Sequence, residues 1–342
     1  MPNKVPDSVL KDFKLVMNLE RIFMPHARQQ RDTAYNRQFG STEPQPEDII
    51  LKCAHYTSAE AALKIIQTKS LWMRNTNCMS DYREVQHGYS ILQDFFSKES
   101  NMKSFIEALD LCAPGSGTEA IKLFDQLSQS IRFGTYIASM SAHDETENKH
   151  GRLSMWRAFG NNPARVAIVL KIPWFSVGAR ALNIMFGPVA YLTNDQAHKE
   201  MYAVIENIHK NCDFLRTVER QRIVDIVFNM LVVQAVCSKH EGFKEEQEWR
   251  AIYSPNMRPS NLVKPLIEPV TGVPQMIYRL PFDGAIDPIL ADIDFAQLFD
   301  RLIIGPTQFP VVMAEAFANA LRAAGVSDLE NRIVWSEIPI RT

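Results

Sequence analysis

His55 lies near the end of the apolar segment Asp48–Tyr56, directly before residues that favour a helix start. Thr57 and Glu60 have the spacing of a capping box, so we expect a buried strand followed by a helix whose N-terminus adjoins His55. The free N–H groups and the positive dipole end of such a helix favour an anion such as a pyrophosphate. The alternative is a structural histidine whose imidazole is satisfied by a backbone carbonyl.

A second predicted strand, Thr135–Ser141, carries two serines separated by one residue. Strand alternation places Ser139 and Ser141 on the same face, where two hydroxyls can hydrogen-bond a ligand or the neighbouring strands. The loop that follows carries His143, Asp144 and His150 in a spacing that matches no standard metal site. We therefore predict no bound metal.

Two carboxylates, Glu246 and Glu248, precede a third strand, predicted over Glu248–Tyr253. If Glu248 enters the strand, Glu246 and Glu248 share a face, and Arg250 on the same face can pair with one of them. Two close carboxylates raise the pKa of one and can act as an anion or a general base. The alternative is a solvated charge run, but Trp249 and the apolar residues after it indicate that the segment enters the core.

The polar loop around Asp81 and Glu84 is a further site candidate. Its local pattern is explained by helix capping, with Ser80 or Asp81 at the N-cap and Glu84 in the first turn.

These segments must be held by a mixed set of elements. Strands and helices follow one another without strict βαβ alternation, and neither GxGxxG nor GxxxxGK[ST] follows a strand. This order predicts an α+β fold and argues against a Rossmann domain or a P-loop NTPase.

Composition sets the broad class. The chain has 342 residues, 46% of them hydrophobic, and a formal net charge of -2, so bulk charge gives no pull toward nucleic acid or membrane. Five scattered cysteines without a CxxC pair favour reduced thiols, and the N-terminus lacks a secretory pattern. We expect a cytoplasmic protein that does not associate with a membrane.

The domain organisation follows from the polar stretch 29–47, which contains Pro44 and Pro46. We predict an N-terminal helix over 8–28 and a linker, together residues 1–47, and one α+β domain over 48–342 with helical insertions near 82–132 and 195–237. The helix at 8–28 is a candidate partner or dimer contact.

Taken in order, the motifs resemble the bacterial family catalogued as "domain of unknown function twenty-nine seventy-one". The segments that carry the resemblance are, in chain order, HYTS, a helix followed by LW, NCMSDYREV, a strand ending in SMS with an acidic loop, SMWRAFG, VAIVL, KHEGFKEEQEWR, IIGP and WSEIPIR. The resemblance covers about residues 48–342 and implies no activity by itself.

A looser resemblance is to ADP-ribosyltransferases, which build an NAD site from a His, a Ser-x-Ser strand and a Glu in chain order. It implies a pair of small mixed or antiparallel sheets around a cleft, with helical insertions. The matching elements here are His55 with Thr57, Ser139 with Ser141, and Glu246 with Glu248. The chain lacks an arginine-led first strand and a tyrosine at the second position.

The same resemblance implies roles. The histidine and the serines would hold the nicotinamide ribose and amide, with Tyr56 and Trp156 as further NAD-binding candidates. Glu248 would be the catalytic carboxylate, and Glu246 would help choose the acceptor.

The function expected from this resemblance is an NAD-dependent ADP-ribosyltransferase, such as a bacterial toxin or anti-phage effector that modifies a protein or nucleic acid. NAD would be a substrate and not a resident cofactor. Two alternatives stay open: a non-catalytic nucleotide- or nucleic-acid-sensing module of a defence system, and a metal-dependent hydrolase or nuclease that uses Glu246, Glu248 and Asp81.

Overall fold

The computed structural model describes residues 7–39, 50–78, 83–158, 164–173, 176–270 and 272–339. The helices are α1 Asp7–Phe23, α2 Pro25–Phe39, α3 Ala59–Thr68, α4 Arg83–Phe96, α5 Glu99–Asp110, α6 Ser116–Phe133, α7 Leu153–Ala158, α8 Val177–Ala181, α9 Asn194–Lys210, α10 Cys212–Leu215, α11 Arg220–Val236, α12 Phe295–Leu298 and α13 Pro310–Ala323. The strands are β1 Leu51–Ser58, β2 Ser70–Asn75, β3 Tyr136–Ala142, β4 Arg165–Ile172, β5 Met185–Pro188, β6 Ala190–Tyr191, β7 Ser238–Lys239, β8 Glu248–Tyr253, β9 Lys264–Val270, β10 Val273–Pro281, β11 Phe299–Ile304 and β12 Ile333–Trp335.

The described residues form two compact units. The helical unit draws on residues 1–33, 76–135 and 187–244, and the sheet unit on residues 34–75, 136–186 and 245–342. The predicted helical insertions fall in the helical unit, and the strands that carry His55, Ser139, Ser141 and Glu248 all fall in the sheet unit.

The large sheet has the strand order β12-β11-β4-β1-β3-β2-β10-β9, and β8 pairs with β3 and β5 off this path. The pairs along this path and the pair of β3 with β8 are antiparallel, except β11 with β12, which run parallel. A largely antiparallel sheet combined with helices confirms the predicted α+β class.

Strand β4 is buried on both faces, which its unbroken apolar sequence dictates. Val166, Ile168 and Leu170 pack in the main core, while Ala167 and Val169 pack in a smaller cluster on the other face. Because each such side chain contributes about 1.5–3 kcal/mol when buried, β4 is a rigid centre for the neighbouring strand β1.

Helix α11 is the centre of the helical unit. It is apolar on nearly all sides, and it packs against α4, α6 and α1. Gly88 on α4 allows the closest of these approaches, because a Cβ there would lie 2.4 Å from the carbonyl oxygen of Ala235. No described helix is long and apolar enough to cross a membrane.

The N-terminal region differs from the predicted helix and linker. Helix α1 ends at Phe23 and α2 runs from Pro25 to Phe39, so residues 29–39 are helical. Proline is tolerated at the first helical position, and an ion pair between Arg31 and Glu20 ties the new helix to α1. The rest of the predicted linker, residues 40–47, lies outside the described residues.

The cap after β1 also differs from the prediction. The strand continues to Ser58, whose side chain accepts the N–H of Ala61 and caps α3, so the capping residue is Ser58 and not Thr57. Thr57 is instead a strand residue opposite Val166 of β4.

Candidate functional site

The contact between β1 and β3 changes character at His55. Backbone pairing joins Cys53 to Ala142 and Ala54 to Ser141. At the next position the contact is made by a side chain, since His55 Nδ1 lies 2.9 Å from the carbonyl oxygen of Ser139. The imidazole therefore occupies the place where the two strands stop pairing.

This contact fixes the state of the imidazole. A carbonyl only accepts, so Nδ1 carries the proton and donates it to Ser139 O. Burial lowers the pKa of His55 below its ordinary value of 6.5, although the hydrogen bond partly opposes this. The ring is neutral at pH 7, and Nε2 is an acceptor with no hydrogen-bond partner among the described residues. The structural alternative considered for His55 thus accounts for one ring nitrogen and leaves the other available.

The two serines lie between β1 and β8. Ser141 is paired with Ala54 on one side and Glu248 on the other, while Ser139 is paired with Arg250. The Ser139 hydroxyl is buried and has no hydrogen-bond partner among the described residues. A buried hydroxyl without a partner is uncommon, and a bound ligand or water would satisfy it.

Glu248 begins β8 and is engaged by Arg250 two residues later. Arg250 Nε lies 2.8 Å from Oε1 and Nη2 lies 3.0 Å from Oε2, and both side chains are buried. The predicted pairing of Arg250 with one of the two glutamates is confirmed. A two-bond contact of this kind fixes the orientation of the carboxylate.

Glu246 does not share the strand face of Glu248 by alternation, and that expectation is wrong. Glu246 ends a 3-10 helix over Glu241–Glu246, and the strand begins only at Glu248. Gln247 between them has a φ of 44°, a left-handed conformation that breaks the alternation.

Arg152 is the residue at this site that the sequence analysis did not single out. Its guanidinium donates to both carboxylate oxygens of Glu147 at 2.7 and 3.1 Å, to Ala142 O at 2.8 Å and to Glu246 O at 2.7 Å. It therefore joins the end of β3 to the segment that leads into Glu248. The only local signal was an arginine that follows an acidic loop and Gly151.

Tyr56 and Trp156 pack together in the smaller apolar cluster with Ala167 and Val169 of β4. Their rings meet edge to face with centroids 4.8 Å apart, and Trp156 is fully buried. The polar atoms are occupied, since Tyr56 Oη accepts from Arg152 N and Trp156 Nε1 donates to His150 O. We assign both rings to packing; their contact with NAD stays a prediction.

The remaining candidates lie elsewhere. Asp81 is outside the described residues, and Glu84 lies in α4 without a described side chain. Within the described ranges, no group of three or more His, Cys, Asp or Glu side chains has an arrangement that can hold a metal ion. His143 instead contacts Asn148 through Nε2 at 2.9 Å, and Asp144 caps a short helical turn.

Residues 155–251 match the model of a family described as "Protein of unknown function (DUF2971)". The match spans Trp156, strand β4 and the segment that contains Glu248 and Arg250, and it confirms the family resemblance over these residues. No curated protein and no solved structure matches the chain. The resemblance to ADP-ribosyltransferases stays a prediction.

Proposed function

We propose that the protein is an ADP-ribosyltransferase that consumes NAD at the junction of β1, β3 and β8. The observation that carries the proposal is the register at Ser141, which pairs with Ala54 on one side and Glu248 on the other. Alternation places the side chains of Ser139, Ser141 and Glu248 on the face of Ala54. His55 starts from the opposite face, and its ring reaches Ser139 O where β1 and β3 stop pairing. Three elements that are far apart in the sequence thus meet on adjacent strands. They are the elements that the ADP-ribosyltransferase resemblance requires.

The proposed ADP-ribosyltransferase-like pair of small sheets rests on the same junction of β1 and β3. Strand β3 pairs with β2 near Tyr136 and with β1 near Ser141, and β1 stops pairing with β3 beyond Ala54. A sheet that divides in this way is consistent with two smaller sheets on either side of a cleft. His55 lies at the point of division.

Each group has a defined chemical task in the proposed reaction. His55 Nε2 accepts a hydrogen bond from a hydroxyl of the nicotinamide ribose, and the Ser139 hydroxyl bonds the carboxamide. The bond between ribose C1′ and the nicotinamide nitrogen breaks, and nicotinamide leaves with the electron pair. Glu248 stabilises the positive charge that develops on the ribose, while a nucleophile of the acceptor bonds C1′ and loses its proton to Glu246 or to water.

The biological setting belongs to the proposal as well. We infer a bacterial toxin or anti-phage effector with a macromolecular acceptor, which is what the resemblance to ADP-ribosyltransferases implies. We assign the half-buried Glu246 to the acceptor side. Arg152 holds its backbone carbonyl, and the residue lies just before the buried strand β8, where its side chain is partly open to solvent.

The test is transfer of label from NAD. Purified protein is incubated with NAD labelled in the adenylate moiety and a bacterial lysate, and covalently bound label is measured. We expect transfer by the wild type, and about 10²–10³-fold less by Glu248→Gln, because the charge that stabilises the transition state is removed. Glu315→Gln, an exposed glutamate on α13, is the matched control and should transfer label normally. Equal transfer by Glu248→Gln and the wild type would overturn the proposal.

A second candidate is a module that binds a nucleotide without turnover. The observation that favours it is the contact between Glu248 and Arg250, because a carboxylate already compensated by a guanidinium is a weaker base. Saturable NAD binding by calorimetry, with neither label transfer nor nicotinamide release, would establish this candidate in place of the transferase.

A further inference from the structure

The helical unit contains a cavity of 260 Å³ that lies apart from the residues assigned above. It is bounded by α4, α5, α6 and α11, through side chains that include Leu92, Met102, Ile121 and Leu231. Gln93 and Asp125 line it and are exposed, so the cavity opens to solvent at their side. A cavity of roughly 150 Å³ is sufficient to bind benzene, so this one has room for a larger ring system.

Aromatic rings form one wall of the cavity. Tyr89 and Phe124 stack with centroids 5.5 Å apart and an interplanar angle of 29°, and both are buried. Phe96 lines the same cavity. The Tyr89 hydroxyl donates to Ser128 O at 3.2 Å, which holds the tyrosine ring in place. Walls of this kind favour a flat, apolar ligand that can stack.

Arg132 supplies a positive charge in the same cavity. Its guanidinium carbon lies 4.3 Å from the centroid of the Tyr89 ring, a cation–π geometry that orients the side chain. Its Nε is buried and has no hydrogen-bond partner among the described residues. Asp125, at the open side, makes no ion pair with it. The half-buried guanidinium also contacts the Tyr89 hydroxyl, so Nε is the donor with capacity for an incoming acceptor, because a buried N–H is normally paired.

We propose that this cavity is a binding site for a planar aromatic molecule with an acidic substituent, whose ring stacks beside Tyr89 and Phe124 and whose carboxylate accepts from Arg132. The apolar walls select the ring, and the guanidinium selects the carboxylate. Ligand binding in this cavity does not require NAD chemistry at the other site, so each site is tested independently.

The test uses 2-naphthoate and its uncharged counterpart 2-naphthamide, titrated into the full-length protein by calorimetry. We expect one naphthoate site, and at least about tenfold weaker binding of naphthamide, since loss of a charge-assisted hydrogen bond is worth about that factor. Arg132→Gln should weaken naphthoate binding by about the same factor and leave naphthamide unchanged. Ile121→Phe, which fills the cavity, should weaken both.

Lys122→Gln is the matched control, because it removes a positive charge from the same helix at an exposed position outside the cavity. It should bind naphthoate as the wild type does. Failure of naphthoate to bind, equal binding of the two probes, or an unchanged affinity in Arg132→Gln would each overturn the proposal. The comparison of the two probes on the wild type remains decisive if Arg132→Gln does not fold.

Discussion

His55 shows how one side chain serves structure and chemistry through different atoms. Nδ1 replaces a backbone hydrogen bond where β1 and β3 stop pairing, and this contact orients the ring. Nε2 is left as an acceptor because burial keeps the ring neutral by lowering its pKa. A strand-end histidine in the sequence predicts neither role by itself, since both depend on β3, which follows it about eighty residues later in the chain.

Because the neutral imidazole of His55 supplies the acceptor, NAD affinity should decrease at acid pH. Protonation of Nε2 removes the acceptor, and because burial lowers the pKa of His55 below its ordinary value of 6.5, NAD affinity should fall between pH 7.5 and 5.5, with the midpoint of the loss below 6.5. Calorimetric titration of NAD across this range measures the effect. His55→Gln should bind NAD more weakly at pH 7.5 and without this loss of affinity at acid pH.

His209→Gln, an exposed histidine on α9, is the control and should keep the wild-type profile. The wild-type loss of affinity at acid pH in His55→Gln would rule out His55 as the titrating group.

At the scale of elements, the segment before β8 depends on Arg152. The left-handed Gln247 accepts one backbone bond from Ala142 N of β3, and the guanidinium of Arg152 supplies further bonds to the Glu245 and Glu246 carbonyls. These bonds fix where β8 begins and hence where Glu248 lies. Arg152 is thus a positioning residue for Glu248.

The contacts of Arg152 with Glu147, Ala142 and Glu246 predict a specific kinetic defect when this arginine is replaced. Arg152→Lys keeps the charge but cannot reach Glu147, Ala142 and Glu246 together, because an ammonium lacks the planar fork. We expect kcat for NAD turnover to fall about 10²-fold, as a misplacement of about 1 Å does, with a smaller change in KM. Steady-state kinetics measures both constants.

Arg157→Lys, a nearby arginine on α7, should leave both constants unchanged. A change in KM alone for Arg152→Lys would contradict a role in placing Glu248.

The elements also show what the sequence could predict. Strand β8 has the predicted bounds, because Trp249 and the apolar residues Ala251–Tyr253 indicate a segment that enters the core. Strand β9 was not predicted, since Pro265 and Pro269 argue against a strand and it lies at the sheet edge, where prolines are tolerated. The bonds of Arg152 were beyond prediction, because they join segments whose proximity only the folded sheet creates.

At the scale of the whole molecule, the chain builds two units from interleaved segments. The sequence predicted helical insertions near 82–132 and 195–237, and a local pattern cannot show that these share a unit with the N-terminal helix. That association depends on long-range contacts such as Arg222 with Asp12 and Asn207 with the end of α1.

The sheet unit should lose stability in mild acid. Burial lowers the pKa of both His55 and His143, so between the lowered values and 6.5 the unfolded chain holds more protons than the folded one. Stability therefore rises with pH in that window and is lost as the pH falls below 6.5, by at most about 1.4 kcal/mol per pH unit for each histidine. Urea unfolding at pH 7.5 and 5.5 should show a lower midpoint at 5.5.

The double variant His55→Gln/His143→Gln should lose most of this difference between the two pH values, whatever its stability at pH 7.5. A double variant with the full wild-type pH dependence would show that other groups are responsible.

Release of nicotinamide from NAD by the purified protein, with water as the acceptor, would show directly whether this site consumes NAD. We expect steady release by the wild type and by Glu315→Gln. Glu248→Gln should release little or no nicotinamide, although it should still bind NAD. Release by Glu248→Gln at the wild-type rate, or no release and no NAD binding by the wild type, would contradict the assignment of NAD chemistry to His55, Ser139, Ser141 and Glu248.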